Sequence, residues 1–292
     1  MFLRSRRRTD RSHEINRRLL LALQRPAEPY NSATIVSYQD QLKATRSFMG
    51  PLLPSLGCTE AELRALYLVL LPVNALIYRG DQECESFYRR SEGTPPTSWR
   101  RGIEQILATL GLDTAGIRGE LDRLESYASD EARMMRGEGR LTESMIRDVC
   151  YLRSSDIRLL VRIAGELTNT PHEGFLTAMR PFLAWEEVRD DLGSYGSDVM
   201  ENSFNTLRLY VRLYGPDDAG THLRKYMHSL LQEGLEGLVP AHRNDIARVW
   251  RMATGASDSP TRWRSRRSML RQVTQRVAMY NKNTVIPSPL DE

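Results

Sequence analysis

Apolar residues recur at spacings of three and four along most of the 292-residue chain, the period of an amphipathic helix. "EINRRLLLALQR" opens the pattern and "SYQDQLKATRSFMGPLL" repeats it. In "CTEAELRALYLVLLPVNALIYRGDQECESFYRR" Thr59 is followed three residues later by Glu62, the spacing of a capping box. "SEGTPPT" breaks the pattern, and "SWRRGIEQILATLG" resumes it until Gly111. "TAGIRGELDRLESYAS" and "DEARMMRGEG" predict two shorter helices. A long helix is expected over "LTESMIRDVCYLRSSDIRLLVRIAGELTN", and a continuous helical pattern over "TPHEGFLTAMRPFLAWEEVRDDLGSYGSDVMENSFNTLRLYVRLYG". "AGTHLRKYMHSLLQEGLEGLV", "AHRNDIARVWRMATG" and "SPTRWRSRRSMLRQVTQRVAMYN" follow, then an extended tail, "TVIPSPLDE".

No run alternates with the period of a strand, and no Asn-Gly hairpin, GxGxxG or repeat occurs. The pattern predicts an all-α protein of about nine or ten helices, with loops short enough for antiparallel neighbours. No linker divides it. Residues 15–285 are expected to form one helical domain, flanked by a disordered basic stretch over 1–14 and an extended tail over 286–292.

Composition narrows the class. Three cysteines, Cys58, Cys84 and Cys150, exclude a disulfide framework and a thiolate zinc site, and fit a reducing cytoplasm. The most apolar run, "ALYLVLLPVNALIY", is about 14 residues, short of the roughly 20 that span a bilayer. The net charge of +4 is concentrated near the ends, in "MFLRSRRRTDR" and "RWRSRRSMLRQVTQR". Such ends are either solubilising disorder or contacts for an anionic partner. His13, His172, His222, His228 and His242 are scattered without metal spacing, and no Ser–His–Asp or Cys–His arrangement occurs.

The chemistry-bearing stretch is "WEEVRDDLGSYGSDVMENSFN", residues 185–205, where six acids accompany one cation. Positions i, i+4 and i+8 of a helix fall on one stripe, which here holds Asp190, Ser194 and Asp198. Two carboxylates around a short hydroxyl make an oxygen cradle suited to Mg2+, a hard cation that keeps waters and phosphate oxygens in its shell. Asn202, Asn205 and Arg212 continue the polar stripe and add donors. Upstream, Asp81 and Glu85 stand at i and i+4 after a strongly apolar stretch, with Glu83 between them. Each set has a plainer reading. The first can be a solvated acidic face, and Glu85 can pair with Arg89 or Arg90.

"DDLGSYGSD" resembles the second metal motif of class I terpene synthases, with every liganding position met and Asp198 replacing the usual glutamate. "DQECE" is similar to a degenerate form of the family's first, aspartate-rich motif, departing at Gln82 and Glu85. The resemblance implies an antiparallel helical bundle of the isoprenoid synthase type, with an active-site cavity between the helices. It implies three Mg2+ ions held by Asp81 and Glu85 from one wall and by Asp190, Ser194 and Asp198 from the other. It also implies a C15 or C20 prenyl diphosphate as substrate, ionised and cyclised to a terpene hydrocarbon or alcohol. Arg147, Arg153 and Arg158 are the candidates for the family's diphosphate-sensing arginine, with Arg153 and Arg158 nearest in position. Arg276 and Tyr280 loosely match its closing Arg–Tyr pair; Lys282 and Asn205 add diphosphate contacts. The reading is compatible with a homodimer, without fixing the oligomeric state, and expects neither nucleic acid nor stable membrane insertion. Two other readings stay open: a prenyl-coupling enzyme of the trans-prenyltransferase or squalene/phytoene synthase kind, and a non-catalytic all-α interaction protein.

Overall fold

A computed structural model describes residues 56–90, 97–170, 172–241 and 266–290, with the isolated residues 17, 53, 244, 246 and 247. Among the described residues every regular element is a helix: α1 (Glu60–Arg90), α2 (Ser98–Thr109), α3 (Ala115–Met135), α4 (Glu143–Arg153), α5 (Ser155–Thr168), α6 (Glu173–Glu201), α7 (Thr206–Tyr214), α8 (Pro216–Leu238) and α9 (Arg266–Asn283). The all-α expectation holds for these residues. The basic stretch 1–14, most of the two helical patterns that end at residue 53, "SEGTPP" and most of "AHRNDIARVWRMATG" lie outside them.

Several boundaries follow from local chemistry. At the start of α1 the Glu62 carboxylate accepts from the Thr59 amide at 2.7 Å, while the Glu62 amide donates to the Thr59 hydroxyl at 3.3 Å, completing the capping box. The helix continues through Pro72, which lacks the N–H that would bond the Leu68 carbonyl; Leu68 is exposed, so water can reach that turn. Continuity past Pro72 and Asn74 makes Glu60–Phe87 long and apolar enough, by length and composition, to cross a membrane, with 44% of its most apolar window buried. That stretch is longer than the apolar run read from the sequence. Helix α2 stops where Gly111 takes φ +69°, with Leu112 N–H reaching Leu107 C=O at 2.9 Å and Gly111 N–H reaching Ala108 C=O at 3.1 Å. This is the Schellman arrangement, closed by the burial of Leu107 and Leu112.

Three boundaries differ from the sequence pattern. The two short helices expected around residue 129 are one helix, α3, because Leu121, Leu124, Ala128 and Ala132 keep a buried stripe running past Ser129 and Asp130. The long helix expected over 141–169 is two, α4 and α5. Ser154 leaves helical geometry (φ −72°, ψ 9°) and its hydroxyl donates to the Tyr151 carbonyl at 3.2 Å. The pattern over 170–215 also divides, as Asn202 adopts φ +53° at the end of α6 and Ser203 N–H caps the Asp198 carbonyl at 2.8 Å. Asparagine tolerates that left-handed conformation better than most residues.

The chain forms two compact units, one drawn from within Met1–Glu83, Pro96–Glu125 and Asp156–His172, the other from within Cys84–Pro95, Ser126–Ser155 and Glu173–Glu292. In the first, Gly80 of α1 lets the Trp99 ring of α2 approach, since a Cβ there would lie 2.6 Å from the indole. In the second, α8 packs on α6, α7 and α9, while α4 packs on α6 and α7. Phe175, Tyr210 and Tyr226 are its largest fully buried side chains. After α9 the chain runs without regular structure to Leu290, whose amide donates to the buried Tyr195 hydroxyl of α6 at 3.1 Å.

Two glycines of α8 make the packing testable. A Cβ at Gly234 would lie 2.7 Å from the Phe182 ring, whereas one at Gly237 meets nothing within 4 Å. Gly234→Ala is expected to destabilise by about 1–3 kcal/mol through overpacking. Gly237→Ala is expected to stabilise by up to about 1 kcal/mol through helix propensity. Urea unfolding of the two variants against the parent measures both.

Candidate metal-binding face on α6

The acidic stretch lies in the C-terminal half of α6, and burial separates its two adjacent aspartates. Asp190 is exposed, and it has neither a hydrogen bond nor an ion pair through its carboxylate to any described residue. Asp191, about 100° further round the helix, is 2% exposed. Its Oδ2 accepts from the Thr206 amide at 2.8 Å and the Thr206 hydroxyl at 2.6 Å, and its Oδ1 accepts from Arg153 Nη1 at 2.6 Å. Both carboxylate oxygens are therefore satisfied by protein, as a buried anion requires. Asp191 acts as a clamp between α6, α4 and the first turn of α7.

Asn205 completes the clamp. Its Oδ1 caps α7 by accepting from Leu207 N–H at 3.0 Å and Arg208 N–H at 3.4 Å. Its amide nitrogen donates to the Asp191 carbonyl at 2.6 Å and to Asp198 Oδ2 at 2.8 Å. Ser194 Oγ donates to the same Asp198 oxygen at 2.6 Å. Of the predicted metal stripe, the structure thus brings Ser194 and Asp198 into direct contact, both half-buried, with Asp190 one turn before Ser194 on the exposed side. A serine hydroxyl that has given its proton to a carboxylate keeps oxygen lone pairs for a cation. Among the described residues no group of three or more His, Cys, Asp or Glu side chains is gathered as a metal cage. Two carboxylates and a hydroxyl instead match the partial protein coordination usual for Mg2+.

The candidate arginines have carboxylate partners. Arg153 bonds Asp191 and, through Nε, Glu187 at 3.0 Å, with its guanidinium 5.6 Å from the Phe204 ring centroid. Burial alone would weaken its charge, but the Asp191 and Glu187 carboxylates outweigh that and hold its pKa well above the ordinary arginine value. Arg147 pairs with Glu143 at 2.6 Å and lies over the Tyr226 ring at 5.0 Å. Glu143 also accepts from the hydroxyls of Tyr214 and Tyr210.

Arg158 belongs to the first unit, where its Nε meets the buried Glu120 at 3.0 Å. Arg162 and Arg123 reach the other Glu120 oxygen at 2.9 and 3.0 Å. The break at Ser154 therefore separates Arg158 and Arg162 on α5 from Arg147 and Arg153 on α4. Arg276 and Lys282 both lie on α9, Lys282 exposed, while the Tyr280 side chain lies outside the described residues.

No protein-family model, curated protein or solved structure matches the chain.

The upstream acids divide between the units, Asp81 and Glu83 in the first and Glu85 in the second. Glu83 accepts from Arg79 Nε at 2.7 Å and from Ser98 Oγ at 2.9 Å. Asp81 is exposed and Glu85 half-buried; the Arg89 and Arg90 side chains lie outside the described residues. Sequence pattern did not single out Glu120, Glu143 or Thr206. The one available signal for Glu120 is the i, i+4 spacing of Arg158 and Arg162 on an otherwise apolar helix, which calls for a buried acid opposite.

Asp191→Asn is expected to lower stability by about 3 kcal/mol, since it removes the charge that holds the partly buried Arg153. Equilibrium urea unfolding checks this, and Asp190→Asn, on the exposed side, should shift it by less than about 0.5 kcal/mol. Acid should act through Glu120. Burial opposes its charge, but Arg158 and Arg162 dominate and hold its pKa below the ordinary 4.5. Its contribution is therefore fully present above about pH 4.5 and lost as pH falls through the lower folded value. Unfolding free energies measured from pH 7 to pH 3 should decline in this window, and Glu120→Gln should be less stable at pH 7 with a flatter decline.

Proposed function

We propose that the chain is a Mg2+-dependent class I terpene synthase. In this reading residues 15–285 pack as an isoprenoid-synthase bundle around an active-site cavity, and the protein works in the cytoplasm on a C15 or C20 prenyl diphosphate. The observation that carries the proposal is the contact of Ser194 and Asp198 at 2.6 Å, buttressed by Asn205 at 2.8 Å, on the helical face that also bears Asp190. A solvated acidic face has no need of a buried asparagine holding one of its carboxylates in place; a metal ligand does.

Asp190, Ser194 and Asp198 would hold the metal from this wall, with Asp81 and Glu85 as the candidates from another. Bound Mg2+ supplies Lewis-acid stabilisation of the negative charge that builds on a departing diphosphate. Asn205 fixes the rotamer of Asp198, and the Asp191–Arg153 pair fixes the roll of α6 that turns Asp190 outward. Arg147, Arg153 and Arg158 each hold a carboxylate, and with Arg276 and Lys282 of α9 they remain the candidates for diphosphate contact. An apolar cavity would exclude water and fold the prenyl chain until the cation cyclises.

Incubation with C15 and C20 prenyl diphosphates and Mg2+ should give free diphosphate and a hydrocarbon or alcohol, identified by mass spectrometry of the organic extract. Excess chelator should abolish turnover. A lengthened prenyl diphosphate or a head-to-head dimer would move the assignment to a coupling enzyme. Release of diphosphate from neither substrate would leave a non-catalytic protein.

The face itself is tested by substitution. Asp198→Ala is expected to reduce turnover about 100-fold or more, with Asp198→Glu retaining measurable activity and Ser194→Ala falling between. Asn205→Ala should reduce turnover by about 10–100-fold, beyond what its loss of a helix cap explains in a melting curve. Full activity in all four variants would sink the proposal.

A further inference from the structure

We propose that the outward face of α9, together with the apolar residues that follow it, docks on an anionic lipid surface. Helix α9 buries Met269, Val273 and Val277 and packs on α8. Its opposite face carries Arg267, Arg271, Thr274, Gln275, Ala278 and Lys282, all exposed and in line at helical spacing over about 22 Å. No acidic residue occurs anywhere in the helix, "RRSMLRQVTQRVAMYNKN". Arg267, Arg271 and Lys282 have no ion pair with a described residue. In the same unit Arg147 and Arg153 are, by contrast, matched to carboxylates.

A second observation points to lipid. Met279 is 49% exposed, Val285 79% and Leu290 44%, three of the large exposed apolar side chains of the described protein within its last described turn and tail. They are held rather than loose. Arg224 Nη1 donates to the Thr284 carbonyl at 3.5 Å, and the Leu290 amide is tied to Tyr195. Cations at headgroup depth with apolar side chains beside them are what an anionic bilayer interface accommodates. A nucleic-acid backbone would use the cations but leave Met279, Val285 and Leu290 in water. The inference shares Lys282 with the diphosphate contacts proposed above and does not otherwise rest on that reaction.

Each basic side chain near an anionic bilayer strengthens partitioning by about fivefold. Sedimentation of the full chain with vesicles of phosphatidylcholine, alone or with about one third phosphatidylglycerol, reads this directly. Binding is expected to the anionic vesicles only, and to weaken strongly between about 0.1 and 0.5 M salt. Arg267→Gln with Arg271→Gln should weaken it about 25-fold. Gln275→Glu, which adds a negative charge to the same face without removing a contact, should weaken it too. Met279→Ser with Val285→Ser should weaken it at both salt concentrations. Equal binding to neutral vesicles, no binding to anionic ones, or unchanged binding in the charge variants would overturn the proposal. Tighter binding to a single-stranded oligonucleotide than to anionic vesicles at equal phosphate concentration would overturn it in favour of nucleic acid.

Discussion

A carboxylate that is 2% exposed has to be satisfied where it stands, and Asp191 of α6 is satisfied by groups from two other helices. Arg153 comes from the last turn of α4, and Thr206 supplies both its amide and its hydroxyl from the first turn of α7. Those three bonds set the rotation of α6 about its own axis, and that rotation decides which neighbouring side chains meet water. Asp190 is turned outward because Asp191 is turned inward. Asn205 then serves three needs at once: it caps α7, bonds the Asp191 carbonyl and steadies Asp198. Without the buried pair the acids of this stretch would have no fixed bearing.

The same logic explains why arginines fall on apolar helices. Arg158 and Arg162 converge on Glu120, and Arg147 on Glu143 beneath a cluster of tyrosines. A guanidinium offers several donors in a plane and spreads its charge, so it can enter a half-buried site where an ammonium would lose more hydration. Burial raises the phenols of Tyr210 and Tyr226, helped at Tyr210 by the Glu143 anion, and it pushes the nearby Cys150 thiol up to about 12. These phenols and the thiol are therefore neutral donors and acceptors, suited to holding helices together and unsuited to acting as nucleophiles or bases.

Much of this was legible in the residues and some of it could not be. The Thr59–Glu62 box and the Gly111 stop were readable because each depends on side chains within a few positions. The helical class was readable from period alone. The break at Ser154 was not, since serine pairs also occur inside helices, and only the fully buried setting of Ser154 and Ser155 distinguishes them. Sequence gives the angle between Asp190 and Asp191 but not which one faces the protein, because α6 is apolar on more than one side. Ion-pair partners such as Glu120 and Arg158, far apart in the chain, become visible only when helices are placed.

The two compact units are interleaved along the chain, each assembled from three separate stretches, and α1 and α3 both contribute to each. No single cut yields either unit as a continuous piece. Synthesis reaches the last stretch of the first unit, Asp156–His172, only after all of α3 and α4 have been made, so its early segments must wait for later ones. The inheritance of this architecture is constrained in the same way. Neither unit can be lifted out as a cassette and joined to another protein, and recombination that preserves the fold has to carry the interleaved region whole.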